Sequence, residues 1–214
     1  MGKTYLVFDK PIYVGMCTLD VSKTLMYDFH YNYIKKKYGE NAKLLMTDTD
    51  SLTYELITED VYKDISADVE AKFDTSAYPK DHTDRNGHSS GIKTGVNKNV
   101  IGMMKDECSG EIMTEFVSLR AKLYATKMNN LEESKKCKGI KKTVVKNNIN
   151  FENYKDVLFN RTSQMRKMNV FRSYGHEIYT EEVKKVALSG EDDKRIVLEN
   201  RIRTLAYGHY SLRT

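Results

Sequence analysis

The sequence predicts an α+β fold: helices laid on one face of an antiparallel sheet, followed by a mixed helix-and-strand region. Three observations carry that prediction. Val21, Leu25, Phe29 and Tyr33 recur every four residues, the spacing of one helix face. Residues 44–56 read Leu-Leu-Met-Thr-Asp-Thr-Asp-Ser-Leu-Thr-Tyr-Glu-Leu, an apolar run broken by two aspartates and resumed as an alternating strand. Charge divides the chain. Residues 48–86 hold eleven acids and four bases, a balance of −7, whereas residues 120–172 hold fourteen bases and four acids, a balance of +10.

Each element follows in order. Pro11 disfavours a helix in the residue before it, so residues 10–13 are expected to be extended. Asp20 or Ser22 caps a helix whose stripe is Val21, Leu25, Phe29 and Tyr33 with Met26 beside it; Lys35, Lys36 and Lys37 suit its last turn and Gly39 ends it. His30 on this helix reads as a packed or solvent-facing histidine. The strand and hairpin of residues 44–56 follow, and the helix packs on their sheet. Thr58 then caps a second helix with Val61, Ile65, Val69 and Phe73 on one face. Residues 74–98 form an exposed loop rich in glycine and serine, with His82 and His88 in it. Strands are expected at 100–105, 111–119 and 122–127. After a basic loop, Asn150 caps a helix with Phe151, Tyr154 and Leu158 on one face. Residues 171–179 are extended, Thr180 caps a helix with Val183, Val186 and Ala187, and Asp192, Asp193, Lys194 and Arg195 open a last segment with Ile196, Leu198, Ile202 and Leu205. The change in composition places a domain boundary between residues 127 and 128.

Composition excludes several classes. Of the 214 residues, 40% are hydrophobic and 30% charged, as in a globular chain. No apolar run approaches the roughly 20 residues of a membrane span, so no membrane partner is expected. The opening residues lack both a signal peptide and the hydroxyl residue at position 6 of a myristoylation signal. Cys17, Cys108 and Cys137 are odd in number without Cys-x-x-Cys spacing, which predicts free thiols in a reducing intracellular compartment and no zinc site.

The chemistry concentrates at Asp48-Thr49-Asp50. Carboxylates at the end of an apolar strand are costly unless a cation offsets their desolvation, and hard oxygen ligands favour Mg²⁺, with Mn²⁺ as the substitute. A calcium loop would need an acid or amide at 52 and glycine at 53, where Leu52 and Thr53 stand. A phosphatase of the Asp-x-Asp-x-Thr type would need threonine at 52. A nucleotide-sugar transferase, a nucleic-acid polymerase and a plain polar hairpin turn all remain open on these residues. The basic stretch suits a polyanion such as nucleic acid.

The flanking blocks carry a resemblance. They are Lys10-Pro11-Ile12-Tyr13-Val14-Gly15, Leu19-Asp20-Val21-Ser22-Lys23, Met26-Tyr27-Asp28-Phe29-His30-Tyr31, Thr47-Asp48-Thr49-Asp50-Ser51, Met104-Lys105-Asp106-Glu107, Thr114-Glu115-Phe116-Val117, Leu119-Arg120-Ala121-Lys122-Leu123-Tyr124, Lys138-Gly139, Phe171-Arg172-Ser173 and Thr204-Leu205-Ala206-Tyr207-Gly208-His209. In this order the chain resembles the family B DNA polymerases. It is most similar to the protein-primed branch found in linear plasmids, viruses and Polinton (Maverick) elements. The resemblance covers nearly the whole chain, with residues 83–95 as the main departure. It implies a palm-like layer followed by a thumb. It also implies that Asp50 ligates catalytic Mg²⁺, that Asp48 lies beside the metals, and that Thr49 sits with them at the nucleotide. Lys122 and Tyr124 would contact the primer end, with Arg120, Lys138, Lys141 and Lys142 on the DNA backbone. The implied partners are a DNA primer-template, a deoxynucleoside triphosphate and a terminal protein primer.

Parts of the family pattern are absent. No Asp-x-x-Ser-Leu-Tyr-Pro supplies the first metal aspartate: Asp20-Val21-Ser22 imitates its start, but Lys23-Thr24 follows. The fingers motif and the proofreading motifs are also missing. The resemblance therefore implies the end of the palm and the thumb, a partner portion that supplies the rest, and little primer extension by this chain alone. Surfaces that face that partner portion are expected to be exposed, favouring partial instability or self-association. A non-catalytic nucleic-acid-binding relic of a mobile element and an Asp-x-Asp nucleotide-sugar transferase are the alternatives.

Overall fold

A computed structural model describes residues 9–84, 86–191, 195–199, 203–206 and 208–212. The fold is α+β with antiparallel sheets, in two compact units that divide at Gly110–Glu111. The boundary expected at 127–128 is thereby corrected. It would cut a three-stranded sheet of β5 (Met113–Arg120), β6 (Leu123–Met128) and β7 (Glu133–Cys137), whose ladders join all three strands.

The first unit opens with α1 (Ile12–Asp28), a six-residue π-helical stretch (Phe29–Ile34) and α2 (Lys35–Tyr38), ended by Gly39 at φ +56°. The helix begins eight residues before Asp20, because Pro11 sits at its N-cap, where a missing N–H costs nothing. Its packing face is Tyr33 and Ile34 with Phe29 and Tyr38. These rest on Ala42 of β1 (Ala42–Asp48) and on Tyr54 and Leu56 of β2 (Ser51–Leu56), as expected for a helix on this hairpin. Val21 and Leu25, the first half of the predicted stripe, are exposed. Ile12, Met16 and Leu19 extend the packing face and are exposed too, as are Leu44 and Leu45 of β1, so β1 is not the buried strand expected. His30 is packed: its ring stacks on Tyr54, with Nδ1 2.8 Å from the Tyr54 hydroxyl, and burial pushes that phenol up to about 12.

The second helical segment starts two residues later than Thr58. Asp60 is the cap, accepting from Tyr62 N and Lys63 N, while Thr58 Oγ1 donates to Asp64. It runs as α3 (Val61–Ile65), a 3₁₀ turn and α4 (Val69–Lys72), burying Tyr62, Ile65 and Val69. Two-residue β3 (Phe73–Asp74) and β4 (Met104–Lys105) pair in parallel, so most of the strand expected at 100–105 is turn.

The loop expected to be exposed is so over much of its length, including Pro79 to Asp81 and Asn86 to Ser89, but it is anchored by a buried set. Asp74, Thr75, Tyr78, His82 and Ile92 are buried. His82 lies against the rings of Tyr62 and Tyr78, with Nδ1 2.7 Å from Ser90 Oγ and Nε2 2.9 Å from Gly110 O. Tyr62 and Tyr78 donate to Gly110 O and Asp106 Oδ2. Gly110 has φ +89°, and a Cβ there would stand 2.6 Å from the His82 ring, so only glycine fits. Polar pinning replaces apolar periodicity here, which is why no helix or strand pattern marks the segment.

The second unit packs its sheet on α6 (Phe151–Asn160), held by the expected Asn150 capping box. Phe151, Tyr154 and Val157 are buried, whereas the expected Leu158 is exposed. They meet Val117, Leu123, Ala125 and Cys137, together with Val145 of α5 (Lys142–Asn148). Strand β7 and helix α5 replace the basic loop. β8 (Ser163–Tyr174) and β9 (Glu177–Ser189) form a long hairpin turning at Gly175–His176. The helix expected after Thr180 is corrected: Thr180, Val183 and Val186 of β9 pair with Phe171, Met168 and Met165 of β8, and Ala187 falls in the same strand at the register shift between Val186 and Leu188. β-branched residues and a continuous partner strand override the i, i+3, i+4 pattern. β10 (Arg195–Val197) pairs with β11 (Thr204–Ala206). Asp192, Asp193, Lys194, Ile202, Tyr207 and the opening six residues lie outside the described residues. No helix among the described residues is long and apolar enough to cross a membrane.

Candidate functional site

Two tight hairpin turns carry the residues singled out in the sequence. The first joins β1 to β2. Asp48 pairs with Ser51, leaving Thr49 and Asp50 as the two turn residues. Thr49 has φ +60°, and Asp50 N donates to Asp48 O at 2.8 Å, a γ-type closure. A β-branched residue at positive φ is strained, and such strain gathers where a side chain must be aimed. Ser51 Oγ donates to Asp48 O at 3.2 Å, and Thr49 Oγ1 to Asp48 Oδ1 at 3.4 Å. Asp50 and Thr49 are exposed and Asp48 is half-buried.

Two hard carboxylates on one turn suit a cation that keeps waters and takes its remaining oxygens from phosphates, as Mg²⁺ does. A cage of three or more His, Cys, Asp or Glu is absent among the described residues. The acids near it in sequence serve elsewhere. Asp60 caps α3, Asp68 meets Lys37 at 2.9 Å and Tyr33 at 2.7 Å, Glu70 pairs with Lys93, and Asp74 and Asp84 accept from loop amides. The acidic stretch is thus largely scaffolding. Two of the three thiols do not fit a metal or nucleophile role: burial pushes Cys108 up to about 12 and raises Cys137, whose Sγ donates to Ala187 O, whereas Cys17 is exposed on α1.

The second turn joins β5 to β6. Arg120 pairs with Leu123, and Lys122 sits in the turn at φ +63°. Lys138 N donates to Lys122 O at 3.1 Å, and Tyr124 lies between Ser118 and Lys136 in register. Arg120, Lys122, Tyr124 and Lys138 therefore share one end of one sheet. Lys141 and Lys142 begin α5 a few residues on, and the Lys141 ammonium lies 5.4 Å from the Phe171 ring centre. Beside them a shallow groove of about 350 Å³ is lined by Lys141, Thr143, Lys167, Asn169 and Glu182. Several other bases are used internally: Lys155 and Lys127 on Glu115, Lys167 on Glu182, Arg172 on Glu181. Sequence reasoning did not single out Lys136 or Phe116, which share the sheet face of Tyr124. Their alternation with Val117 and Ala125 was the available signal.

No family model, curated protein or solved structure matches the chain.

Proposed function

We propose that this chain is the end of the palm and the thumb of a DNA-directed DNA polymerase of family B. It would work with a partner portion that supplies the first metal aspartate and the fingers. The carrying observation is the strained turn that presents Asp48, Thr49 and Asp50 at the tip of a two-stranded hairpin, an arrangement of hard oxygen donors that no third carboxylate joins among the described residues. Asp50 and Asp48 would hold Mg²⁺ or Mn²⁺ together with the triphosphate of an incoming deoxynucleotide beside Thr49. When bound, the metals supply charge neutralisation at phosphorus and lower the pKa of the attacking 3′-hydroxyl.

The chain's own residues position the DNA. Lys122, Arg120 and Lys138 contact backbone phosphates without regard to sequence, and Tyr124 packs on the primer end. Lys141 and Lys142 extend that basic surface. The exposed Ile12, Met16 and Leu19 on α1 fit a helix that a partner portion covers.

Single-nucleotide primer extension with Mg²⁺ or Mn²⁺ tests the assignment, beside Asp50→Asn. The chain alone is expected to extend poorly. Addition of a palm-and-fingers polypeptide is expected to restore extension to the wild type and not to Asp50→Asn. Restoration that is indifferent to Asp50 overturns the reading. The exposed basic end of the β5–β6–β7 sheet supports one second reading, a nucleic-acid-binding protein without chemistry. That reading predicts salt-dependent DNA binding unchanged by Asp50→Asn and no complementation.

A further inference from the structure

The sheet β5–β6–β7 has two unlike faces. One packs Val117, Leu123, Ala125 and Cys137 on α6. The other, by strand alternation, carries Phe116, Ser118, Tyr124, Thr126, Ser134 and Lys136. In register, Phe116 lies opposite Thr126 and Ser134, and Ser118 lies opposite Tyr124 and Lys136. Phe116 and Tyr124 are diagonal neighbours with ring centres 6.0 Å apart and planes tilted by 36°. Both rings are half-buried, and Ser134 and Lys136 are exposed.

We infer that this face is a stacking platform for an unpaired nucleobase of a single-stranded nucleic acid. The inference rests on the nucleic-acid reading above and extends it to Phe116 and Lys136. Two adjacent rings on a pleated surface offer π-faces to a flat, aromatic partner, and any base fits them. Lys122 and Lys136 flank Tyr124, one two positions before it in the chain and the other opposite it across the ladder, where they meet the phosphates of the same strand. A base inside a duplex is already stacked on both sides, so the platform selects single strands, which the backbone contacts of Lys122 and Lys138 do not. Ser134 and Lys136 give this face an exposed polar edge, Ser118 is half-buried, and Thr126 between the rings is buried.

The test measures binding of fluorescent oligo-dT, oligo-rU and a blunt DNA duplex at one salt concentration, for the wild type and Phe116→Leu. Leucine keeps the apolar contact and removes the ring. Wild type is expected to bind single strands, and Phe116→Leu to bind them about tenfold more weakly, with duplex affinity changed less than twofold and an unaltered thermal melt. Quenching of 2-aminopurine placed in the single strand should fall with it. A preference for dT assigns DNA and one for rU assigns RNA, and either supports the platform. Equal losses on all three ligands reveal a merely structural ring and overturn the inference, as does unchanged single-strand binding. In both cases the retained binding leaves the nucleic-acid reading standing. Absence of binding to every ligand overturns that reading instead.

Discussion

The two hairpin turns are built alike and supported differently. Each is a two-residue connection with a non-glycine residue at positive φ, Thr49 at +60° and Lys122 at +63°. One presents carboxylates, the other bases. The acidic turn tips a two-stranded sheet whose β1 leucines are exposed and whose base is covered by the helix together with Phe73. The basic turn ends a three-stranded sheet closed by α6 over a fully buried core of Phe151, Tyr154, Val157 and Leu188. An isolated hairpin is marginal in water, whereas three strands packed on a helix stand alone. The comparison teaches that the second unit packs the sheet of its turn on its own helix, whereas the first leaves the β1 leucines of its turn in solvent.

Removing that support is the largest way to break the comparison. Tyr154 is fully buried and its hydroxyl donates to Lys136 O. Tyr154→Ala is expected to destabilise the second unit by roughly 3–5 kcal/mol, read as lost amide protection across β5–β7 in hydrogen exchange. Protection of the first unit should change little.

The turns themselves sharpen it. Thr49→Gly relieves the strain of a β-branched residue at positive φ, partly offset by glycine's backbone entropy. The expected gain is about 0.5–1 kcal/mol for the hairpin, seen as slower exchange at Thr47 and Ser51. A loss instead would mean that the Thr49 hydroxyl on Asp48 outweighs the strain.

The smallest effect is the share of the pH dependence that Asp68 contributes in the first unit. The Lys37 ammonium and then the Tyr33 hydroxyl hold the Asp68 carboxyl below its ordinary 3.8. A depressed folded-state pKa stabilises above the ordinary carboxylate range, and that stabilisation is lost as pH falls through the lowered value. Denaturant melts taken from about pH 5 toward 2 should therefore show a slope that Asp68→Asn flattens. Asp68 is partly exposed and its pair is screened, so the change is small.

Much of the site was legible in local sequence. Asp48-Thr49-Asp50 between two strand-like runs marks a hairpin turn, Asn150 before Phe151 marks a cap, Gly39 after three lysines marks a helix end, and the charge balance separates scaffold from basic surface. Each is decided within a few residues, by backbone preference, side-chain capping or charge. The sequence by itself therefore determined where the chain turns, which residues present oxygen or ammonium groups, and that helices and antiparallel strands alternate. Tertiary structure alone decided the rest. Val183 and Val186 fit a helix face as well as a strand until β8 pairs with them. β7 looks like a basic loop until β6 binds it. His82 looks exposed until Tyr62, Tyr78 and Gly110 close on it. In all three cases the deciding hydrogen bonds come from outside the segment itself, from the facing strand of a hairpin for β7 and β9 and from Ser90 and Gly110 for His82, and local periodicity holds no record of them.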